Sequence, residues 1–170
     1  MELGVRTETA DDISAIHRVV AAAFGQTVEA DLIDGLRAAG ALTVSLIATI
    51  DETVVGHIAF SPVDIDDDED SAKALGLGPL AVVPAHQNQG IGTGLVEAGL
   101  ARCRDLGVAI VVVLGEPGYY GRFGFGPSVA HDIRWEHDAP ADAFMVRELV
   151  PGALAGVRGT ARYHAALDGV

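Results

Sequence analysis

Residues 75–95 constrain the fold of this chain more strongly than any other stretch of its sequence. They read LGLGPLAVVPAHQNQGIGTGL, an apolar run that ends at Pro84, then a short polar turn and the beginning of a helical pattern. An apolar run bounded by turn residues is typical of a buried strand, and glycines in a turn let the backbone approach a ligand closely. The first turn of a helix presents unpaired N–H groups and the positive end of its dipole. This junction therefore favours an anion such as a pyrophosphate.

Three phosphate-binding patterns compete for this glycine-rich turn. A Walker-type loop requires a Gly-Lys-Ser/Thr ending, and the only lysine of the chain, Lys73, lies before the turn. A dinucleotide fingerprint requires Gly-x-Gly-x-x-Gly, and Leu95 occupies the place of the third glycine. The third pattern, Gln/Arg-x-x-Gly-x-Gly/Ala after a strand, is matched at every fixed position by residues 87–92.

A second pattern follows the next predicted strand. Residues 108–114 (VAIVVVL) lead into GEPGYYGRFGFGPS, where Tyr120, Gly124 and Phe125 have the spacing Tyr-x-x-x-Gly-Phe. Together the two patterns resemble the GNAT superfamily of N-acetyltransferases, in which the first pattern is the coenzyme A loop. The longer run looks most like the branch of predicted acetyltransferases related to the YhbS proteins. The resemblance covers nearly the whole chain, and the C-terminal third is its least specific part.

This resemblance implies an α/β fold with a central mixed, mostly antiparallel sheet of about seven strands, flanked by helices and containing a splayed parallel pair. It implies transfer of an acetyl group from acetyl-coenzyme A to a primary amine by direct attack in a ternary complex. The loop has no Lys or Arg, so backbone amides and the helix dipole must bind the pyrophosphate. The implied coenzyme-binding residues are Leu80, Ala81, Val82, Gln87, Asn88, Gln89, Gly90, Ile91, Gly92, Thr93 and Phe123.

The catalytic residues are assigned less uniquely. Tyr120 is the candidate general acid, because a phenol with a pKa of about 10 is protonated at pH 7 and its position matches the family pattern. The general base stays open between His57, Glu29, Glu116 and an ordered water path. A histidine in a strand is also explained as a packed, hydrogen-bonded residue. An acidic residue in a first helical turn, such as Glu29, is also explained by the helix dipole.

The spacing of apolar residues and the turn residues predict the remaining elements. Helices are expected over residues 11–24, 28–39 and 89–106. Strands are expected over residues 4–7, 42–50, 53–63, 74–83, 108–114, 127–133, 144–150 and 160–167, with a loop over residues 135–142.

Length and composition limit the alternatives. A chain of 170 residues is most simply one domain, here residues 1–170. The single cysteine, Cys103, excludes an internal disulfide and leaves no cysteine cluster for zinc, so no metal site is expected. No stretch approaches about 18 uninterrupted apolar residues, and the N-terminus lacks a signal-peptide pattern. We therefore expect a soluble, cytoplasmic protein without a membrane partner.

The formal charge of −13 argues against a nucleic-acid partner, because binding to a phosphate backbone needs a basic surface. Six of these negative charges lie within residues 64–70. This acidic run either attracts a cationic amine or forms a solvated hairpin tip. The overall charge favours a small cationic acceptor.

Two other functions stay open from the sequence. One is a non-catalytic sensor of acyl-coenzyme A on the same fold, and the other is a nucleotide-binding or structural protein whose glycine-rich turn is a tight connection. Family membership by itself does not name the acceptor. An exposed closing strand at the C-terminus would allow a homodimer.

Overall fold

The structure, a computed structural model, describes residues 2–167, which divide into two compact units. Unit 1 comprises residues 2–61, 78–102 and 165–167, and unit 2 comprises residues 62–77 and 103–164. Two long strands contribute residues to both units. The expectation of a single domain over residues 1–170 stays a prediction.

The described chain contains four α-helices and nine strands. The helices are α1 (Ile13–Phe24), α2 (Val28–Ala38), α3 (Ile91–Asp105) and α4 (Pro117–Tyr120). The strands are β1 (Leu3–Thr7), β2 (Val44–Ile50), β3 (Thr53–Asp66), β4 (Ser71–Val82), β5 (Ile110–Leu114), β6 (Gly126–Pro127), β7 (Ile133–Trp135), β8 (Phe144–Glu148) and β9 (Gly159–Tyr163). Short 3-10 turns lie at Ala10–Asp12, Pro84–His86, Gly121–Phe123, Ser128–His131 and Ala165–Leu167.

The strands form one mixed sheet. Its order is β1-β2-β3-β4-β5-β8-β6, and β9 pairs with both β3 and β7. The pairs β4–β5 and β7–β9 are parallel, whereas β1–β2, β2–β3, β3–β9, β5–β8 and β6–β8 are antiparallel. The predicted GNAT-type mixed, mostly antiparallel sheet is confirmed. Its nine strands exceed the seven or so that the resemblance implied, and the short strands β6 and β7 account for the difference.

In unit 1, helices cover both faces of the sheet. The sequence places apolar residues three or four apart in α1 and α2, and these meet one face in a core with the strands. That core contains Ile16, Val20, Ala30, Ile33, Ile47, Ala59 and Ala81. On the opposite face α3 approaches closely, because Gly99 has no side chain and a Cβ there would overlap the Phe60 ring. Gly25, with a φ of +70°, ends α1.

In unit 2, the core forms between the sheet and the C-terminal segments. It contains Val63, Ile65, Ala74, Ile110, Val112, Ile133, Phe144, Val146, Leu154 and Ala161. The continuous apolar sequence of β5 is explained by its burial, since four of its five residues are buried.

The C-terminal region contains the clearest errors of the sequence prediction. Residues 127–133 were expected to form a strand, but Ser128–His131 is a 3-10 turn that ends at Asp132, whose φ is +56°. Aspartate tolerates this left-handed conformation, which a strand excludes. The strand expected over residues 160–167 ends at Tyr163 and is followed by the turn Ala165–Leu167. No helix within residues 2–167 is both long and apolar enough to cross a membrane.

Candidate active site

The turn between β4 and α3 has the open geometry that the sequence predicted. Residues 87–90 are exposed, and Asn88 and Gly90 adopt positive φ values of 62° and 83°. A Cβ at Gly90 or Gly94 would meet no heavy atom within 4 Å. Ile91 is the exception, because its side chain is buried and fixes the start of α3. The amides of this turn and of the first turn of α3, including Gly92 and Thr93, therefore border open space.

Gln87 connects this turn to the end of β4. Its side-chain Nε2 donates a hydrogen bond of 2.9 Å to the Val82 carbonyl. The first residue of the loop motif is thus used to hold the turn against the strand. Glutamine suits this position because its amide carries the required donor.

The amides of β4 alternate between two sides. The Val83 N–H donates to the Val55 carbonyl of β3 at 2.9 Å, and neighbouring amides of a strand point in opposite directions. The Ala81 amide therefore points towards β3, whereas those of Leu80 and Val82 point away from it. In agreement with this, a Cβ placed on Gly56 of β3 would lie 3.2 Å from the Ala81 carbonyl oxygen. Of the three β4 residues named from the resemblance, two direct their amides away from β3.

The parallel pairing of β4 with β5 is short. It joins Leu75, Gly76 and Leu77 to Val111, Val112 and Val113, and β4 continues beyond this register to Val82. The predicted parallel strand pair is therefore present, and it extends over three residue pairs only.

Tyr120 lies at the end of α4 within an aromatic cluster of unit 2. Its ring centroid lies 5.0 Å from that of Tyr119, 6.5 Å from that of Phe123 and 6.0 Å from that of Phe125. Gly115 makes room for this ring, because a Cβ there would lie 2.5 Å from Tyr120 Cε2. Burial, reinforced by Tyr119, raises the pKa of Tyr120 to about 12. The phenol therefore remains protonated at any pH at which the fold is expected to work.

Phe123 is buried beside the same cluster, 5.4 Å from the Tyr119 ring. The guanidinium of Arg122 lies over the rings of Tyr119 and Phe123, at 5.5 and 5.6 Å from their centroids. These contacts account for Tyr119 as a packing residue of the cluster. They also account for Arg122 as a cation–π partner of the aromatic rings.

His57 is buried in unit 1 rather than lining an open cleft. It belongs to what we call the Glu8 network, the side chains of Glu8, Arg37, Ser45 and His57. His57 Nε2 lies 2.7 Å from Ser45 Oγ, and Ser45 Oγ in turn contacts Glu8 Oε1. Arg37 donates to both Glu8 oxygens, from Nη2 at 2.9 Å and from Nε at 3.0 Å.

The number of available protons determines which group donates in each hydrogen bond of the Glu8 network. Ser45 has one hydroxyl proton, and the ionised Glu8 carboxylate can only accept. Ser45 therefore donates to Glu8, and His57 must donate from Nε2–H to Ser45. The remaining lone pair, on His57 Nδ1, has no hydrogen-bond partner among the described residues.

Charge states in the Glu8 network follow from burial and pairing. Burial lowers the pKa of His57 to about 4, although the nearby Glu8 opposes this shift. Burial acts to raise the pKa of Glu8, but the hydrogen bonds from Arg37 and Ser45 outweigh it and the pKa is lowered. At neutral pH the network thus holds a carboxylate, a guanidinium and a neutral imidazole. Its members other than His57 escaped sequence analysis, although strand pairing places Ser45 on the same face as His57.

The other two candidate bases lie apart from the Glu8 network. Glu29, in the first turn of α2, accepts hydrogen bonds from Gln26 Nε2 at 3.1 and 3.2 Å. Glu116 is exposed at the N-cap of α4. The helix position of Glu29 and its contact with Gln26 account for its presence without a catalytic role.

Two clusters of charged residues are explained by ion pairing. On the surface of α1 and α2, His17 Nε2 lies 3.0 Å from Asp31 and 3.8 Å from Asp34, which Arg37 also contacts at 2.9 Å. In the acidic run, Asp67 Oδ1 accepts the N–H groups of residues 69 and 70. Three cations pair with this run, in the contacts Lys73–Asp64, Arg158–Asp67 and Arg162–Asp66. These contacts favour the solvated hairpin tip over a substrate lure.

Comparison with known proteins settles the family. The profile of the acetyltransferase (GNAT) domain matches residues 4–128. The chain belongs to the GNAT superfamily.

This GNAT protein is 39% identical over 161 residues to Escherichia coli K12 YhbS, described as an uncharacterized N-acetyltransferase, covering 94% of this chain and 95% of YhbS. The crystal structure of E. coli YhbS in complex with CoA superposes with a TM-score of 0.92 at 38% identity, covering 98% of this chain and 92% of YhbS. A GNAT acetyltransferase of Brucella melitensis in complex with acetyl-CoA gives a TM-score of 0.81 at 39% identity, covering 98% and 99% of the two chains. The resemblance to the YhbS branch is confirmed, and the chain is an acyltransferase.

Proposed function

We propose that this protein transfers the acetyl group of acetyl-CoA to a primary amine of a small cationic acceptor, by direct attack in a ternary complex. The observation that carries this proposal is the β4–α3 junction, with exposed backbone, two positive-φ residues and a helix N-terminus in an open turn. The complexes of the YhbS and Brucella relatives with CoA and acetyl-CoA support the same ligand.

The pyrophosphate of acetyl-CoA would be held by amides. Residues 88–93 supply N–H groups around the N-terminus of α3, and the helix dipole adds a favourable field. Gln87 contributes by fixing the turn through its bond to Val82. Because the turn lacks a cationic side chain, the binding depends on backbone shape more than on net charge.

The thioester carbonyl would be polarised by β4. The amides of Leu80 and Val82 point away from β3, so they are the donors available to a ligand that extends along this strand. Ala81, in contrast, contributes to the buried core of unit 1. Ala81 thus supports the strand that presents the donors on either side of it.

In the chemical step, the amine lone pair attacks the carbonyl carbon, the carbon–sulfur bond breaks, and the electron pair leaves with sulfur. Tyr120 would donate its hydroxyl proton towards this sulfur. An ordinary thiol has a pKa of about 8.5, well below the value of about 12 at Tyr120, so complete transfer is uphill. The hydrogen bond to the developing thiolate is therefore the larger contribution.

The acceptor must lose a proton before or during attack. Water is our preferred route, because His57 is fully buried with a pKa lowered to about 4, and Glu29 already accepts hydrogen bonds from Gln26. The charge of −13 favours a cationic acceptor by general attraction, since three of the six acidic side chains of the acidic run are already paired with cations.

Binding is tested by thermal unfolding with acetyl-CoA, using ATP and NADH as controls. A ligand at about 100 times its dissociation constant should add roughly 2.7 kcal/mol to the free energy of unfolding. Release of the CoA thiol is then followed with a panel of primary amines. Equal stabilisation by ATP would contradict the coenzyme assignment, and binding without thiol release for any amine would contradict the transfer reaction.

The variants Tyr120→Phe and Tyr119→Phe form a matched pair. Each removes one hydroxyl and keeps the ring. We expect Tyr120→Phe to lower kcat about 100-fold with little change in KM for acetyl-CoA, because the lost hydrogen bond acts on the departing sulfur. Tyr119→Phe should leave kcat within about twofold, since its ring packs against Phe123 and Arg122. Equal effects of both substitutions would remove Tyr120 from the chemistry.

A further inference from the structure

Unit 2 contains a pocket that none of the coenzyme-binding residues lines. We call it the Trp135 pocket; its volume is about 200 Å³. Its polar and aromatic lining comprises Ser128, Arg134, Trp135, His137, Asp138 and Phe144. Apart from Ser128, these residues lie beyond residue 128, where the match to the GNAT profile ends.

Two residues of this pocket carry buried polar atoms without partners within the described chain. Six buried side-chain nitrogen or oxygen atoms lack a hydrogen-bond partner among the described residues. Two of them, Ser128 Oγ and Trp135 Nε1, belong to residues that line the pocket, and Tyr163 Oη belongs to a ring 6.5 Å from Trp135. Because an indole N–H can only donate and an unmade buried hydrogen bond is costly, an accepting oxygen in the pocket is favoured once a small shift of the two side chains brings these buried atoms to its wall.

The wall of the pocket is aromatic. The rings of Trp135 and Phe144 are stacked at 16° with centroids 6.3 Å apart, and His137 meets Trp135 edge-on at 5.0 Å. Arg134 and Asp138 supply one charge of each sign at the exposed rim. A cavity of roughly 150 Å³ holds benzene, so this pocket accommodates one six-membered ring with a small polar substituent.

Within unit 2, the pocket adjoins the segment that carries Tyr120. Phe144 pairs with Leu114 at the end of β5, and the Gly115 N–H donates to the Ala143 carbonyl at 2.9 Å. Gly115 is also the residue against which the Tyr120 ring packs. The C-terminal end of β5 thus connects the pocket with the proposed acid.

We propose that the Trp135 pocket binds the body of the acceptor, a single ring or ring-sized apolar group bearing a carbonyl or hydroxyl oxygen that accepts from Ser128 and Trp135. This assignment rests on the proposed acetyl transfer, and it narrows the acceptor class. Asp138 at the rim suits the cationic charge of such an acceptor.

Trp135 is the only tryptophan of the chain, so its indole N–H gives a single side-chain resonance that reports on the pocket. The probe is benzamide, and toluene is the matched probe without an accepting oxygen. We expect benzamide to move the indole resonance downfield in a saturable way, and toluene to bind at least fivefold more weakly. Ser128→Ala should weaken benzamide about fivefold, whereas Ser71→Ala, at an exposed position of unit 2, should not change it.

Benzamide should also inhibit thiol release competitively with the amine and not with acetyl-CoA. Stabilisation by acetyl-CoA together with no indole shift at 10 mM benzamide, or with equal binding of toluene, would overturn the pocket and leave the proposed function standing. Binding of benzamide without competition against the amine would overturn the acceptor assignment. Absence of stabilisation by acetyl-CoA would instead defeat the proposed function, whatever the indole resonance showed.

Discussion

The Glu8 network and the Trp135 pocket both contain buried polar side chains, but they differ in how far the hydrogen bonds of these side chains are satisfied. In the Glu8 network, Ser45 contacts two partners and the Glu8 carboxylate is held by Arg37 and Ser45. In the Trp135 pocket, Ser128 is at least as deeply buried, yet its hydroxyl has no partner within the described chain. Because an unmade buried hydrogen bond costs more than a made one contributes, the first arrangement stabilises the fold and the second favours a ligand.

The largest effect is expected from breaking the ion pair of the Glu8 network. Arg37→Met keeps the unbranched apolar stem of the side chain and removes the cation from Glu8, whose side chain is only 15% exposed. The free energy of unfolding should fall by about 3 kcal/mol, at the low end for a buried pair because both partners retain some exposure. Urea unfolding measures this loss. Arg18→Met on the exposed side of α1 is the control, and a similar loss there would contradict the assignment.

The second prediction is that the free energy of unfolding depends on pH through the protonation of His57. Its pKa is about 4 in the folded chain, against 6.5 for an ordinary imidazole, so the unfolded chain binds more protons between these values. Stability should therefore be complete above pH 6.5 and fall as the pH drops towards 4, by about 2 kcal/mol between pH 7 and pH 5. His57→Asn should remove this component in urea unfolding at pH 5, 6 and 7. An unchanged pH dependence in His57→Asn would assign it to another group.

The smallest expected effect is the difference in free energy of unfolding between serine-to-alanine substitutions in the two regions. Ser45→Ala leaves the His57 N–H and the Glu8 carboxylate without their shared partner and should lower the free energy of unfolding by about 1–2 kcal/mol. Ser128→Ala removes an unpaired hydroxyl and should change it by less than about 0.5 kcal/mol, or raise it slightly. Thermal unfolding of both variants without ligand makes the comparison. A larger loss for Ser128→Ala would mean that its hydroxyl is already satisfied, for instance by a bound water.

The sequence predicted most of unit 1 because its patterns are local. Apolar spacing in α1 and α2 and the strand–turn–helix junction around Gly90 depend on residues that are close in the chain. The boundaries differ by a few residues at most, as for α3, which begins at Ile91 rather than residue 89. The loop motif identified the open turn, although it did not reveal that Gln87 binds Val82.

The C-terminal region was predicted poorly because its order comes from distant pairing. The strand β3 extends to Asp66, beyond the expected end at residue 63, where β9 pairs with it across about a hundred residues. Neither β6, with two residues, nor β7, with three, carries enough alternation to be recognised. The polar atoms of the Trp135 pocket belong to this region, which is why sequence analysis left it without a function.

By itself, the sequence determined the family, the order of the main elements and the open turn before α3, since each rests on residue types at short, fixed spacings. Tertiary structure alone decided which polar groups are satisfied. Ser45 meets Glu8 across 37 positions, and Trp135 meets Tyr163 through the pairing of β7 with β9, which no local pattern encodes. These contacts decide whether a buried serine stabilises the fold or is available to bind a ligand, because a hydrogen bond is a property of a pair of groups in space.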